Sequence, residues 1–170
     1  VLHDIVYPDQ SKLRPKDSRA LSACLLRASN AHLPDITLAT FCDSSFANQP
    51  GTRRSTTGCV TVVNGACVIY RSETLKCATS SVSEAEFKAL STASNHLILV
   101  RNLLKELGYE GGTGTVYSDN AACVTTVLAK QATQMLRHIE IQYHVVRDRY
   151  DLGLLEISYL PTRLNISDVL

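Results

Sequence analysis

With 170 residues, 45% of them hydrophobic, the chain can bury a core of its own and is too apolar to be a disordered tail. A net charge of +1 excludes the strong basic field of a protein that coats nucleic acid indiscriminately, so any nucleic-acid contact must come from a local patch. The sequence holds no run of about 18 apolar residues, and Val1-Leu2-His3-Asp4 lacks the charged-then-apolar layout of a leader, so the expectation is a soluble, intracellular protein with no membrane partner.

Residues 1–35 hold Pro8, Pro15 and Pro34, a mixed charge run from Lys12 to Arg19 and a short helix-like piece from Arg19 to Ala28. They read as an N-terminal tether or accessory segment, with one domain over 36–170. Ile36–Asp43 is apolar on both faces, the pattern of a central strand, and Asp43 is its expected last residue. Gly58–Val63 and Ala66–Tyr70 flank Asn64-Gly65, the sequence of a tight hairpin. Ser83–Leu107 follows as a long helix with Leu90, Ala93, Leu97, Val100 and Leu104 at helical spacing, closed by Gly108. A strand, Thr115–Ser118, leads through Asp119-Asn120 into a short helix ending at Leu128, an order that suggests a parallel crossover. An amphipathic helix over about Arg137–Leu152 precedes the alternating strand Leu155–Tyr159, and Asn165–Leu170 reads as the opening of one more helix. Cys24, Cys42, Cys59, Cys67, Cys77 and Cys123 form no Cys-x-x-Cys pair, so free thiols that pack as small hydrophobes are expected rather than a zinc site.

This order places four carboxylates at element ends or first turns: Asp43, Glu86, Asp119 and Asp168. Converging carboxylates are what metal-assisted phosphodiester hydrolysis needs, because two Mg²⁺ ions roughly 4 Å apart require hard oxygen ligands. Taken singly, each has an ordinary explanation: Asp119 as the cap of the helix after it, Asp168 as a surface residue, Glu86 as the capping-box partner of Ser83. Asp43 is the hardest to explain so, since a carboxylate ending a doubly apolar strand is poorly placed for solvation. Helical periodicity separates the two glutamates: Glu86 lies on the stripe through Leu90, Ala93 and Leu97, whereas Glu84 is about 200° away and belongs to solvent.

Six ordered blocks resemble the ribonuclease H domain of Ty1/copia-type retrotransposon polyproteins. They are Phe41-Cys-Asp-Ser-Ser-Phe-Ala47, Arg53-Arg-Ser-Thr-Thr-Gly58, Ser80-Ser-Val-Ser-Glu-Ala-Glu-Phe-Lys-Ala-Leu90, Tyr117-Ser-Asp-Asn120, Arg137-His-Ile-Glu-Ile-Gln-Tyr-His144, and Tyr159-Leu-Pro-Thr162 with Ser167-Asp168-Val-Leu170. Residues 1–35 match poorly. The resemblance implies an α/β ribonuclease H-like fold, a mixed five-stranded sheet flanked by helices. It implies a metal-binding catalytic tetrad, Asp43, Glu86, Asp119 and Asp168, that holds two Mg²⁺ ions, with Mn²⁺ as a substitute, and cuts the RNA strand of RNA/DNA hybrids. Asp43 would bridge both ions, Glu86 and Asp119 complete one site and Asp168 the other.

By position, Ser83 and Asn120 are candidates to read the RNA minor groove and its 2′-hydroxyls, and Arg53, Arg54, Ser55 and His138 to contact the backbone. Bland readings stand beside these, since loop arginines and a surface histidine are often merely solvated. The implied partner besides the hybrid is the reverse transcriptase domain of the same polyprotein, in cytoplasmic virus-like particles, with 1–35 as the joining segment. Many cellular relatives carry a histidine before the last aspartate; Tyr159–Asp168 has none, which is expected to slow product release or proton transfer. Two rival readings are a catalytically inactive ribonuclease H-like module that binds hybrid or a reverse transcriptase, and a DNA-cutting integrase or resolvase. Intact carboxylates weigh against the first. Glu86 falling between the first two aspartates, rather than on a late helix, weighs against the second.

Overall fold

The computed structural model describes residues 36–107, 109, 112–129 and 140–169. Residues 1–35, Gly108 and the expected start of the third helix, with His138, lie outside the described residues. In chain order the elements are β1 (Leu38–Ser45), β2 (Thr56–Val63), β3 (Ala66–Thr74), α1 (Val82–Glu106), β4 (Gly114–Ser118), α2 (Ala121–Leu128), α3 (Glu140–Asp151) and β5 (Leu155–Tyr159). Two 3-10 turns follow, Thr162–Leu164 and Ile166–Val169.

The strands form one sheet in the order β3-β2-β1-β4-β5. β2 pairs antiparallel with β1 and β3, whereas β4 lies parallel to both β1 and β5. This is the mixed five-stranded sheet the sequence led us to expect, with the doubly apolar β1 at its centre. The hairpin between β2 and β3 turns on Asn64 (φ 49°) and Gly65 (φ 80°), the paired positive angles that match the twist of the strands it joins. Asn64 also anchors the turn, its Oδ1 accepting from Thr37 N at 2.9 Å and Thr37 Oγ1 at 3.1 Å.

α1 lies across one face of the sheet. Ala85, Ala89 and Ala93 recur every four residues and are buried to 1% exposure or less, so the helix backbone comes close, while Phe87, Leu90 and Leu97 fill the space around them. All of these but Ala85 share a core with Leu38, Cys42, Cys59, Val116, Val127, Val146, Leu155 and Ile157. A smaller cluster on the other face joins Phe41, Val60 and Val62 to Leu160 and Leu164 of the C-terminal turns. Phe41 stacks there on Tyr117 with ring centroids 5.2 Å apart. Across the sheet, the Oγ1 atoms of Thr40 and Thr61 lie 3.0 Å apart, so both buried hydroxyls are satisfied. Arg147, buried in α3, pairs with Asp151 through two contacts of 2.7 Å and donates to the Val127 carbonyl, which ties α3 to α2.

Two local expectations are corrected. Asp43 is not the last residue of its strand: β1 runs on to Ser45 paired only with β2, because β4 ends opposite Cys42. The segment after Asn165 is a 3-10 turn rather than an α-helix over the described residues. The five cysteines of the described region, Cys42, Cys59, Cys67, Cys77 and Cys123, are free.

Gly114 opens β4 where a Cβ would sit 3.0 Å from both Leu38 Cγ and Leu97 Cδ1. Gly114→Ala therefore overpacks the seam between α1 and the sheet, and chemical denaturation is expected to show a loss of about 1–3 kcal/mol.

Candidate active site

Asp43 reaches its position because β1 outruns β4: it is the first residue of β1 beyond the parallel ladder, half-buried and opposite Gly58. Asp119 follows the last residue of β4, on the neighbouring strand end. Glu86 comes from the second turn of α1 and is only 7% exposed. Carboxylate oxygens of Asp43, Glu86 and Asp119 lie within 4.8 Å of one another. Asp168, exposed on the last turn, approaches from the Asp43 side, close enough to raise the Asp43 pKa both by its charge and by a side-chain hydrogen bond.

Helix capping leaves these groups free. The cap of α1 is Ser81, whose Oγ accepts from Glu84 N at 3.1 Å, so Ser83 and Glu86 form no capping box. Glu84 is not the solvated neighbour expected; its side chain is 14% exposed. It accepts from Ser80 N and Oγ at 2.6 and 2.8 Å and pairs with Lys88 at 2.6 Å. Against the push of burial, those partners hold Glu84 below its usual carboxylate range. Likewise α2 is capped by Asn120, whose Oδ1 accepts from Cys123 N at 3.0 Å, and Asp119 has no capping duty.

The cluster resists its own charge. Burial, then the charges of Asp43 and Asp119, push Glu86 up to about 7, and Ser44 and Asn120 offset this only in part. Burial, then Asp119 and Asp168, raise Asp43 as well, while the Ser44 backbone N–H opposes the shift. Glu86 Oε2 is buried and has no hydrogen-bond partner. Three hard oxygen donors converge here in a partly buried site, and such a group suits a cation, because a proton or a metal relieves the repulsion.

The other expected residues fall in two groups. Ser83 is exposed on the first turn of α1, and Asn120 borders the cluster, with its carbonyl committed to the cap. Arg53 and Arg54 are exposed in the β1–β2 loop, where Arg53 adopts a left-handed φ of 49°. Ser55 is corrected as a direct backbone contact: it is 0% exposed, its Oγ lies 2.6 Å from Thr79 Oγ1 and accepts from Ala47 N at 3.1 Å. It pins the arginine loop to the segment before α1. Sequence reasoning missed Thr79, because its partner is remote in the chain. It also missed Asn165, whose position three residues before Asp168 was the available signal for a side-chain-stabilised turn.

The fold is that of ribonucleases H. The chain superposes on LC11-RNase H1, solved in complex with an RNA/DNA hybrid, with a TM-score of 0.60 at 15% identity, over 79% of this chain and 93% of that one. RNase H1 from the halophilic archaeon Halobacterium salinarum NRC-1 gives a TM-score of 0.53 at 16% identity over the same shares, 79% and 93%. In sequence, the homologues are Pol polyproteins of Ty1/copia-type retrotransposons. The chain is 26% identical over 136 residues to the retrovirus-related Pol polyprotein of transposon TNT 1-94 from Nicotiana tabacum, and 25% identical over 138 residues to the Ty1-H Gag-Pol polyprotein of Saccharomyces cerevisiae. Those matches cover 80% and 81% of this chain but only 10% and 8% of the polyproteins. No family model matches the chain.

The Glu86 pKa sets a sign for stability. Its folded value, about 7, lies above the ordinary 4.5, so the contribution of Glu86 to the metal-free fold is most favourable below about pH 4.5 and is lost as pH rises through 7. Glu86→Gln is expected to stabilise the metal-free chain at pH 8 by up to roughly 3 kcal/mol, with the gain fading toward pH 5. Denaturation with chelator at the two pH values checks this.

Proposed function

We propose that the chain is the ribonuclease H domain of a Ty1/copia-type Pol polyprotein, an endonuclease that hydrolyses the RNA strand of RNA/DNA hybrids during reverse transcription. The observation that carries this reading is the convergence of Asp43, Glu86 and Asp119 within 4.8 Å, with one Glu86 oxygen buried and unpartnered, on a ribonuclease H fold.

Asp43 is the shared ligand in this proposal, being grouped with Glu86 and Asp119 and also in electrostatic contact with Asp168. When bound, divalent cations, Mg²⁺ or in its place Mn²⁺, supply a water of lowered pKa and neutralise charge on the attacked phosphate and its leaving oxygen. The protein's own part is to hold the four carboxylates converged and to present the RNA strand. Ser83, exposed on the first turn of α1, and Asn120, whose side chain also bonds Glu86, read 2′-hydroxyls, the one feature that separates RNA from DNA at a given position. Arg53 and Arg54 take backbone phosphates from a loop that Ser55 and Thr79 hold in place. His138 remains a candidate from the sequence.

The same reading makes the hybrid one partner and the reverse transcriptase domain of the polyprotein the other, with 1–35 joining the two and virus-like particles in the cytoplasm as the setting. The near-neutral charge makes binding by the isolated chain weak and strongly salt-dependent.

With Mg²⁺ or Mn²⁺, a labelled hybrid is expected to lose its RNA strand while single-stranded RNA and duplex DNA stay intact, and Asp43→Asn is expected to lower the rate about 100-fold or more. Hybrid that is bound but never cut under either metal would instead favour a noncatalytic module. Replacing Arg53 and Arg54 together by Ala is expected to raise KM more than it lowers kcat. It should also flatten the dependence of log binding constant on log salt by about 2, roughly one unit per lost phosphate contact.

A further inference from the structure

We propose that Asn165 is a positioning residue whose side-chain amide ties the turn carrying Asp168 to β1 beside Asp43, fixing the separation of these two carboxylates. The inference rests on the nuclease reading above and extends it to a residue outside the carboxylate set.

Asn165 is 5% exposed, and both its amide nitrogen and its amide oxygen are hydrogen-bonded. Nδ2 donates to the Cys42 carbonyl at 2.9 Å across 123 residues of sequence, and Oδ1 accepts from Ser167 Oγ at 2.6 Å and Ser167 N at 3.3 Å. The backbone closes the same turn, with Asp168 N donating to the Asn165 carbonyl at 3.2 Å. One end of the tie thus lands on the residue before Asp43, and the other on the residue before Asp168.

The position calls for such a tie. Ile166–Val169 is a 3-10 turn of four residues, too short to hold a direction by its own hydrogen bonds. Asp168 is exposed, so burial does not fix its side chain. Leu164 and Ile166 pack the segment against the second apolar cluster, but apolar packing is non-directional and leaves the approach of Asp168 free to vary. An amide suits the place because it combines a donor for a strand carbonyl at the end of the β4 ladder with an acceptor for the turn. Aspartate lacks the donor, and an aliphatic residue lacks both.

The test is Mn²⁺ binding to the 170-residue chain by calorimetry, in the presence of a hybrid whose RNA strand is 2′-O-methylated to resist cleavage. The proteins are the native chain, Asn165→Ala, Asp168→Asn, the double variant and Ser167→Ala, each checked for folding by thermal denaturation. Expected are two classes of site in the native chain. Asn165→Ala should weaken the class sensitive to Asp168→Asn by about 10–100-fold and leave the other within about twofold. The double variant should bind no more weakly than Asp168→Asn alone, because both changes remove one coupled element. Ser167→Ala, which keeps the Asn165–Cys42 bond, should shift the same class by less, and it carries the test if Asn165→Ala fails to fold. Equal weakening of both classes, no weakening, or additivity with Asp168→Asn would overturn the assignment. A native chain that binds no Mn²⁺ would overturn the nuclease reading itself, whereas native binding in two classes unaffected by Asn165→Ala and Ser167→Ala would overturn only the positioning role.

Discussion

Three carboxylates held within 4.8 Å of one another is the constraint around which the rest of the structure is arranged. Like charges at that distance in a partly desolvated site oppose folding, as the raised Asp43 and Glu86 values record. The scaffold must therefore supply enough apolar burial to hold them there without a cation. It does so on both faces of the sheet: α1 with its small-residue stripe packs on one, and Phe41, Tyr117 and the C-terminal turns pack on the other. The site draws on the stability of both layers while adding none of its own in the metal-free chain.

Local hydrogen bonding decides which carboxylates are left for chemistry. Glu84 and Glu86 are two residues apart on one helix, yet Glu84 is consumed by Ser80, the helix start and Lys88, whereas Glu86 Oε2 has no partner. Asp119 and Asn120 divide their work in the same way, the asparagine capping α2 and the aspartate remaining free. A residue with a good hydrogen-bonding alternative is a poor metal ligand, so the capping residues act as a sorting device along a stretch rich in polar groups. The β1–β2 loop follows a related logic: Ser55 and Thr79 use their hydroxyls inward, and the arginines between Gly51 and Ser55 are turned to solvent.

Much of this was legible in the sequence because the signals are local. Periodicity located α1 and placed Glu86 on its buried face, Asn64-Gly65 marked the hairpin, and alternation marked β5, whose observed bounds match. Where local signals competed, the sequence left more than one answer. In sequence Ser83 pairs with Glu86 as a cap, whereas the folded helix is capped two residues earlier by Ser81, which likewise has a glutamate three residues on. Asp43 looked like a strand end because the doubly apolar run stops there, but strand length is set by the partner strand, and β2 carries the ladder to Ser45.

The sequence by itself determined the order of the strands and the three α-helices and the candidate acidic residues near their ends, since these follow from side-chain period and turn chemistry within a few residues. The tertiary structure decided which carboxylates meet, that Ser55 turns inward to Thr79, and that Asn165 reaches Cys42. Those outcomes depend on contacts between segments 24 and 123 residues apart. No local pattern encodes such distances, because they arise only when β4 is laid beside β1 and the C-terminal turns close over the far face of the sheet.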